Sequence, residues 1–428
     1  MEPLPMAVLS PYRRLVRQVR ATFVGGPPSD EDHNILNWYA STALFGIVDG
    51  SMWVFLPVFL ARLGASPSVL GLYTSLPALM VIAFSIPTGV LVDRARDQMA
   101  TWKRIAFCMR MFYPVVILAP FFLPRASLPL AIVVVWALRV ILDAAGTSLW
   151  VAIAGRAVSP RRRAHVNGTR WALLSLISAS CQGLAGRWLD VGPFPGAYQA
   201  MFTVAFAATM AEWWFFGRLR VPLLEREEQV QATLGERVRG YLRPLAEHRP
   251  FVRFAVGTFA YRVAVNMPAA LFTLLWVREL GASNGLIGLR GTVGYVGLMT
   301  GYLFWGRTAN RLGHRRVLTA GALGTAAYAI VSAALPSAVW LVPVAVLWGL
   351  SAPGIDVGLF DLLLHACPPG KEARFVSVNQ FTANVAIFVG PLLGVALASV
   401  TSVRIALAVA GALQVVTTAG FRLLPRDV

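Results

Sequence analysis

The sequence predicts an all-α membrane protein with twelve transmembrane helices, arranged as two pseudo-symmetric bundles of six. Three observations predict this fold class: the composition, a series of apolar segments and an internal repeat. Of the 428 residues, 57% are hydrophobic and 14% are charged, whereas soluble chains carry about a quarter charged residues. Apolar runs of roughly 20 residues recur along the chain, each long enough to cross about 30 Å of hydrocarbon as a helix.

The repeat has a constant offset of 217 residues. The sequence Leu-Gly-Ala-Ser occurs at residues 63–66 and again at 280–283. One offset that spans a loop, a whole hydrophobic segment and the next loop indicates duplicated halves. In a membrane protein, two parallel halves are typical of a transporter that holds its substrate between them. The same offset relates three further pairs: Gly89 and Gly306, Asp93 and Asn310, and Arg94 and Arg311.

The apolar segments define the helices in chain order, separated by charged loops or loops with glycine and proline. In the first half, helices are predicted at 36–62, 70–92, 105–124, 129–151, 166–188 and 197–218. In the second half, they are predicted at 252–277, 286–306, 317–337, 339–365, 376–399 and 403–424. The stretch between the halves is polar and mixes charges, so it is predicted to be a linker. The predicted organisation is a cytoplasmic segment at 1–35, a bundle at 36–218, a cytoplasmic linker at 219–251 and a second bundle at 252–428.

Individual helices support the duplication. The first and seventh helices end at the repeated tetrapeptide, and the second and eighth end at the repeated loop with glycine and arginine. In the fourth helix, Trp136 begins a Trp-Ala-Leu sequence that corresponds to Trp-Gly-Leu at Trp348 in the tenth, with an offset of 212. These helices therefore have recognisable partners, whereas the third and sixth align less clearly with the second half.

The net charge of +18 indicates topology rather than nucleic-acid binding. Of the 38 lysine and arginine residues, 28 lie in alternate loops and the two termini, while the opposite loops hold only five. This asymmetry follows the positive-inside rule, so both termini are predicted to be cytoplasmic. We expect an integral, multi-pass protein of the cell membrane that contacts the lipid bilayer and has no nucleic-acid partner.

The loop between the second and third helices resembles a signature of the major facilitator superfamily. Residues 89–94 read Gly-Val-Leu-Val-Asp-Arg. The predicted layout of six plus six helices with a long central loop is similar to that superfamily along nearly the whole chain. The resemblance implies a rocker-switch transporter in which loop residues form cytoplasmic contacts that lock the outward-open state; basic residues that only fix topology are the alternative. The gating residues implied are Gly89, Asp93, Arg94, Gly306, Asn310 and Arg311.

The chain departs from the superfamily pattern in several places, and the first copy of the loop lacks the glycine and the paired basic residues at its end. Asn310 replaces an acidic residue in the second copy of the loop, and the fifth helix lacks the Gly-Pro motif of antiporter members. The subfamily therefore stays unresolved from the sequence.

Asp49 is the foremost of the ionisable side chains inside the predicted helices. A charge at mid-membrane costs about 2.5–3.5 kcal/mol on insertion scales, so each one requires a reason. Asp49 lies at the midpoint of the first helix, with Trp53 one turn later. A carboxyl group that gains and loses a proton in a central cavity is what proton coupling requires; a permanent ion pair with an arginine is the alternative. The repeat places Asn266 at the equivalent position, so only the first half has an acid there.

Four further charged residues complete the candidate site. Arg139 and Asp143 are four residues apart in the fourth helix and share one face, where they either neutralise each other or serve the substrate. In many members of the resembled family, an arginine of this helix takes part in binding or coupling. Arg262 in the seventh helix has no acidic partner on that helix, so its expected partner is an acid across the cavity or an anionic substrate. Asp356 follows a Pro-Gly pair, where a break in the tenth helix would expose backbone groups to a binding site; a structural role for Asp356 is the alternative.

These observations predict a secondary active transporter that works by alternating access. Its predicted activity is proton-coupled export of small amphipathic organic compounds, and uptake of a sugar or organic anion is the alternative. A membrane-embedded transferase is a remote alternative, because the five histidines form no nucleophile or metal motif. We therefore expect no enzyme, no catalytic residue, no metal and no cofactor. The expected partners are a small-molecule substrate, protons and the lipid bilayer, with a monomer as the functional unit.

Overall fold

The computed structural model describes residues 29–93, 97–222, 248–368 and 372–424, together with Gly235. Within these residues all regular secondary structure is helical. The long helices of the first half are α1 (Asp30–Arg62), α2 (Pro67–Asp93), α3 (Gln98–Phe122), α4 (Leu128–Ala157), α5 (Pro160–Val191) and α6 (Gly196–Phe216). Those of the second half are α7 (Arg249–Glu279), α8 (Asn284–Leu312), α9 (His314–Ala333), α10 (Ala338–Ala366), α11 (Glu372–Val400) and α12 (Val403–Leu423).

The protein is an integral, multi-pass membrane protein. In the part of the chain that the structure describes, nine helices are long and apolar enough to cross a membrane. The helices α5, α6 and α8 are 32, 21 and 29 residues long but are not among those nine. The count of twelve transmembrane helices and the cytoplasmic placement of the termini remain predictions.

Several helix ends differ from the predicted ones because polar turns extend the helices beyond their apolar parts. The first helix begins at Asp30 rather than at residue 36, where the Ser29 hydroxyl accepts a hydrogen bond from the Asp32 N–H at 3.1 Å. The fifth begins at Pro160 rather than at 166, and the Glu31 carboxylate accepts hydrogen bonds from the Ser159 N–H and hydroxyl at 2.9 and 2.7 Å. Most of the predicted linker at 219–251 lies outside the described residues.

The expected break in the tenth helix is wrong. Helix α10 runs through Pro353 without interruption from Leu341 to Ala366. A proline cannot donate a backbone hydrogen bond, so the preceding turn of the helix loses one bond. Trp305 of α8 donates its indole N–H to the Leu350 carbonyl at 2.7 Å in that turn. The neighbouring helix therefore donates a hydrogen bond to the backbone near the proline. Such contacts from neighbouring helices let packed membrane helices tolerate proline.

The repeated Leu-Gly-Ala-Ser sequence is a helix stop followed by a helix start. Gly64 and Gly281, its second residues, have φ values of 86° and 58°, and glycine adopts this left-handed conformation without the penalty of a Cβ atom. The serine that follows caps the next helix: Ser66 accepts a hydrogen bond from Val69 at 3.3 Å, and Ser283 from Leu286 at 3.2 Å. Both copies of the sequence thus turn the chain between two helices in the same way.

The two halves meet near these repeated loops. The hydrogen bonds seen between described residues of the two halves join residues 49–65 or 178–198 to residues 278–295. The largest apolar core also lies here and contains wholly buried residues of both α1 and α7, such as Phe59 and Leu271. Farther along α5 and α8, Trp171 and Tyr302 are 58% and 41% exposed. The halves are therefore closed against each other at one end, called here the latched end.

Candidate functional site

Asp49 lies where α1 departs from α-helical geometry. Residues Asp49–Trp53 form a π-helical segment, and such segments occur frequently at functional sites. Gly46 and Gly50 let α1 approach α5 closely, because a Cβ atom on Gly50 would overlap the Ser178 carbonyl oxygen. Tyr295 of α8 donates its hydroxyl to the Asp49 carboxylate at 2.6 Å. The predicted coupling acid is therefore partly buried and hydrogen-bonded across the interface between the halves.

Arg139 is buried in the first half among aromatic rings. Its guanidinium lies 4.4 Å from the ring centre of Trp136 and 5.8 Å from that of Trp53. The Asp143 carboxylate is 3.7 Å away, one turn along the same helix, and the Nε atom has no hydrogen-bond partner among the described residues. Arg139 is only 4% exposed, whereas Trp53 is 38% exposed. The predicted pair therefore forms, as a long contact that leaves hydrogen-bonding capacity on the arginine.

Arg262 has a neutral partner in this structure. It donates to the Asn379 side chain of α11 at 3.1 Å, and its Nε atom has no hydrogen-bond partner in the described part of the chain. The Asn266 side-chain amide donates to the Arg262 carbonyl at 2.7 Å, which is a hydrogen bond within its own helix. Arg262 forms no ion pair with Asp49 or Asp356 in this structure, and each of those acids accepts a hydrogen bond from a tyrosine.

Asp356 accepts a hydrogen bond from the hydroxyl of Tyr302 in α8 at 2.7 Å. Both residues are exposed and belong to the second half. The structure therefore separates this carboxylate from the hydrogen bonds that join the halves near Asp49.

The structure describes only some of the gating positions, and the described ones lie on α2 and α8 away from the latched end. Arg94 lies outside the described residues, as do the side chains of Asp93 and Asn310. The helix backbone includes Gly89, whose surroundings are likewise outside the description, while Gly306 and Arg311 are exposed. The locking role that the resemblance implies for these six positions thus stays a prediction.

Two functional candidates were missed by sequence reasoning. Tyr295 had no signal in the sequence, because a tyrosine in an apolar helix is an ordinary packing residue. Arg290 was recognisable only as a charge inside the eighth predicted helix. It donates to the Tyr328 hydroxyl at 2.7 Å and lies 4.3 Å from the ring centre of Trp276 and 5.6 Å from that of Trp348.

Five side chains close the latched end. Arg62 donates to the Asn284 side chain at 3.0 Å and to the Ala282 carbonyl at 2.8 Å. Arg278 donates to the Ala65 carbonyl in return. Each repeated loop thus receives an arginine from the other half. The residues of this latch are Arg62, Asp190, Tyr198, Arg278 and Asn284.

Asp190 and Asn284 form the centre of the latch. The Asp190 carboxylate accepts hydrogen bonds from the N–H groups of Asn284 and Gly285 at 2.7 and 2.8 Å. These N–H groups begin α8 and are unsatisfied within the helix, so a carboxylate from the other half caps them. Tyr198 donates to the Asn284 side chain at 2.6 Å. A cavity of 560 Å³ beside these residues lies away from Asp49 and Arg139, so we do not place the substrate there.

The arrangement combines an interface that is closed at one end with charged and aromatic side chains near it. The acid Asp49 bridges the halves through Tyr295. Arginines held on aromatic faces lie in each half, at Arg139 and Arg290. Such groups suit the binding and movement of a small polar or charged molecule. Among the described residues, no group of histidine, cysteine and acidic side chains has the arrangement of a metal site.

Comparison with known proteins supports the repeat and the fold. The family model described as Major Facilitator Superfamily matches residues 38–253 and again 254–428. A search of curated proteins gave no match.

Solved structures share the fold at low sequence identity. The nucleoside transporter NupG has a TM-score of 0.71 and 10% identity, with 91% of this chain and 99% of that chain covered. A bacterial homologue of the human lysosomal transporter Spinster has a TM-score of 0.68 and 14% identity, with 93% and 97% covered. A bacterial homologue of the iron transporter ferroportin has a TM-score of 0.64 and 14% identity, with 92% and 98% covered. At these identities the likeness shows the fold alone.

Proposed function

This chain belongs to the major facilitator superfamily of membrane transporters, and on that premise we propose that it moves its substrate by rocker-switch alternating access. Membership makes it a transporter rather than an enzyme. The observation that carries the proposal is the confinement of the hydrogen bonds between the halves to one end. Under the predicted topology that end faces outward, so the structure is an inward-open form. Opening the latch while the opposite end closes completes the cycle.

Proton coupling through Asp49 is the second part of the proposal. The hydrogen bond from Tyr295 to Asp49 crosses the interface. An ionised carboxylate accepts such a hydrogen bond more strongly than a protonated one. Protonation of Asp49 therefore weakens a contact between the halves, and the state of the proton biases the conformational equilibrium. This linkage is what converts a proton gradient into directed movement of a solute.

We propose that the substrate is a small amphipathic organic compound and that the direction is export. The aromatic rings of Trp53 and Trp136 beside Arg139 support a solute with both apolar and polar parts. The structural neighbours are named for different solutes, a nucleoside and iron among them, so their names select no substrate. Uptake of an organic anion is the second candidate, favoured by the arginines that have no close carboxylate.

Transport by the purified protein in liposomes tests the proposal. A panel of labelled amphipathic compounds, anionic, neutral and cationic, is offered with and without an imposed pH gradient. We expect the gradient to drive accumulation of at least one compound by the wild-type protein, and Asp49→Asn to abolish this accumulation while exchange of unlabelled for labelled compound continues. The control is Glu279→Gln, because Glu279 pairs with Arg404 within the second half at 2.9 Å. Gradient-driven transport by Asp49→Asn at the wild-type rate would show that the acid does not couple.

A further inference from the structure

Arg290 lies in an aromatic enclosure inside the second half. Its guanidinium is 4.3 Å from the ring centre of Trp276 in α7, 5.6 Å from that of Trp348 in α10 and 5.9 Å from that of Tyr328 in α9. The Tyr328 hydroxyl accepts its one side-chain hydrogen bond, at 2.7 Å. We call these four residues the Arg290 enclosure.

The first half contains an enclosure of the same composition. Arg139 lies over Trp136 and Trp53, and Trp53 donates to the Tyr113 hydroxyl at 3.5 Å. Trp136 corresponds to Trp348 in the repeat, and the first and seventh helices each add a tryptophan. The arginine itself is on α4 in one half and on α8 in the other. An arginine with two tryptophans and a tyrosine has therefore been assembled twice, from different positions of the repeat.

The Arg290 enclosure lacks a negative charge. Among the described residues, Arg290 forms no ion pair, and its Nε atom has no hydrogen-bond partner. Stacking on aromatic faces offsets part of the cost of desolvating a guanidinium. It uses the face of the planar group, whereas the N–H donors point outward in its plane. The Nε atom is buried, so an anion in that plane approaches the terminal N–H groups of Arg290.

The position of Arg290 along α8 brings the enclosure next to the interface. Thr292 donates to the Ala179 carbonyl of α5 at 2.6 Å, and Tyr295 donates to Asp49 at 2.6 Å. Tyr295 lies five positions after Arg290, a rise of about 7.5 Å along the helix. Gly294 lies one turn after Arg290 and faces Trp348. A Cβ atom added to Gly294 would be 3.4 Å from the Trp348 ring. One stretch of α8 thus carries both the uncompensated cation and the contact to the coupling acid.

We propose that the Arg290 enclosure is a substrate subsite that binds the anionic group of an organic acid with a flat apolar body. The carboxylate, sulfonate or phosphate group accepts hydrogen bonds from the free N–H groups of Arg290. The apolar body lies against the tryptophan rings. This inference rests on the proposed transport function and names the class of its substrate.

Ligand binding to the purified full chain tests the subsite without any gradient. The probes are 2-naphthoate, naphthalene-2-sulfonate and 2-naphthyl phosphate, with neutral 2-naphthamide as the isosteric control. Quenching of tryptophan fluorescence measures the Kd of each probe. We expect at least one anion to bind the wild-type protein at least tenfold more tightly than the amide, as loss of a charge-assisted hydrogen bond predicts. No preference for any anion over the amide would overturn the proposal.

Variants then assign the preference to Arg290. Arg290→Gln is expected to weaken anion binding at least tenfold and to leave amide binding unchanged. Arg290→Lys, which keeps the charge, is expected to retain part of the anion preference. The matched control is Arg125→Gln, because Arg125 is an exposed arginine in a loop. We expect this variant to bind the anion with the wild-type Kd. A folded Arg290→Gln protein with the wild-type anion Kd would refute the assignment.

A second variant covers the case in which Arg290→Gln fails to fold. Tyr328→Phe keeps the ring and removes the hydroxyl that orients Arg290, so we expect it to change the Kd of the anion but not of the amide. Equal anion binding by Tyr328→Phe and the wild type would then count against the subsite. Failure of the transport proposal has a different signature, namely anion binding that depends on Arg290 without movement of any probe into liposomes.

Discussion

Replacing Asp190 with alanine is expected to open the latched end. The Asp190 carboxylate caps the first two N–H groups of α8 from the opposite half, at 2.7 and 2.8 Å. These bonds exist only while the halves are closed at this end. Their loss therefore raises the free energy of the closed form and leaves the form with an open latch unchanged, because water hydrates the N–H groups there.

The size of the shift follows from the exposure of Asp190. Removing a capping side chain costs about 0.5–2 kcal/mol, and Asp190 is an exposed residue whose charge salt screens. We take about 1.4 kcal/mol, which changes the ratio of closed to open forms about tenfold. The remaining latch contacts, from Arg62, Arg278 and Tyr198, are untouched by the change.

Spin labels on either side of the latched end measure this ratio. The labels replace Ser68 at the start of α2 and Val400 at the end of α11, both exposed, after the three native cysteines have been changed to serine. We expect Asp190→Ala to increase the proportion of long distances about tenfold relative to short ones. Glu279→Ala, which removes a carboxylate from an ion pair within one half, serves as the control. The same distance distribution in both variants would refute the role of Asp190 as a latch.

Three further predictions concern the first half and its contact with α8. Glu212→Gln is expected to lower the free energy of unfolding by about 3 kcal/mol, because it leaves the buried Arg110 charge unpaired. Gly50→Ala is expected to lower it by about 2 kcal/mol, because the added Cβ overlaps the backbone of α5. Both are measured by denaturation of the purified protein in mixed micelles. Tyr295→Phe is expected to slow pH-gradient-driven transport about tenfold in liposomes, through loss of one charge-assisted hydrogen bond.

Each of these predictions has a matched control in the chain. For the ion pair, Arg110→Met combined with Glu212→Leu is expected to regain most of the lost stability, and an equally unstable double variant contradicts the argument. Gly155→Ala controls for the glycine change, since its added Cβ would meet no described atom within 4 Å apart from its own stretch of helix. For Tyr295, exchange without a gradient must persist in the variant, and a parallel loss of exchange would show a general defect.

The fold was largely predictable because apolar length and repetition are properties of the sequence itself. Helices occur at all the predicted apolar segments, and the family model matches the chain twice, as the repeat indicates. The helix ends were less predictable, since polar turns such as the one at Ser29 and Asp32 extend helices by side-chain bonds that hydropathy does not register. The Pro-Gly pair of α10 misled the prediction, because the support of its backbone comes from Trp305 on another helix.

The candidate site was predictable only as a set of charges. Asp49 and Arg139 stand out because a charge in an apolar helix is costly, and this cost can be recognised from the sequence alone. Their partners are set by the packing of separate helices, so Tyr295 and the rings around Arg290 carried no such signal. The pairing expected for Arg262 also depended on helix packing, which places Asn379 next to it instead.

The sequence by itself determined that this protein is a duplicated bundle of membrane helices, because hydrophobic length, charge asymmetry and a constant repeat offset require no knowledge of contacts. The structure added that the glycine of each repeated tetrapeptide ends helix α1 or α7 in a left-handed conformation. Only the tertiary structure decided that the repeated loops face each other and exchange arginines across the interface. That contact depends on how two separately folded halves pack, and no local pattern in either half specifies it.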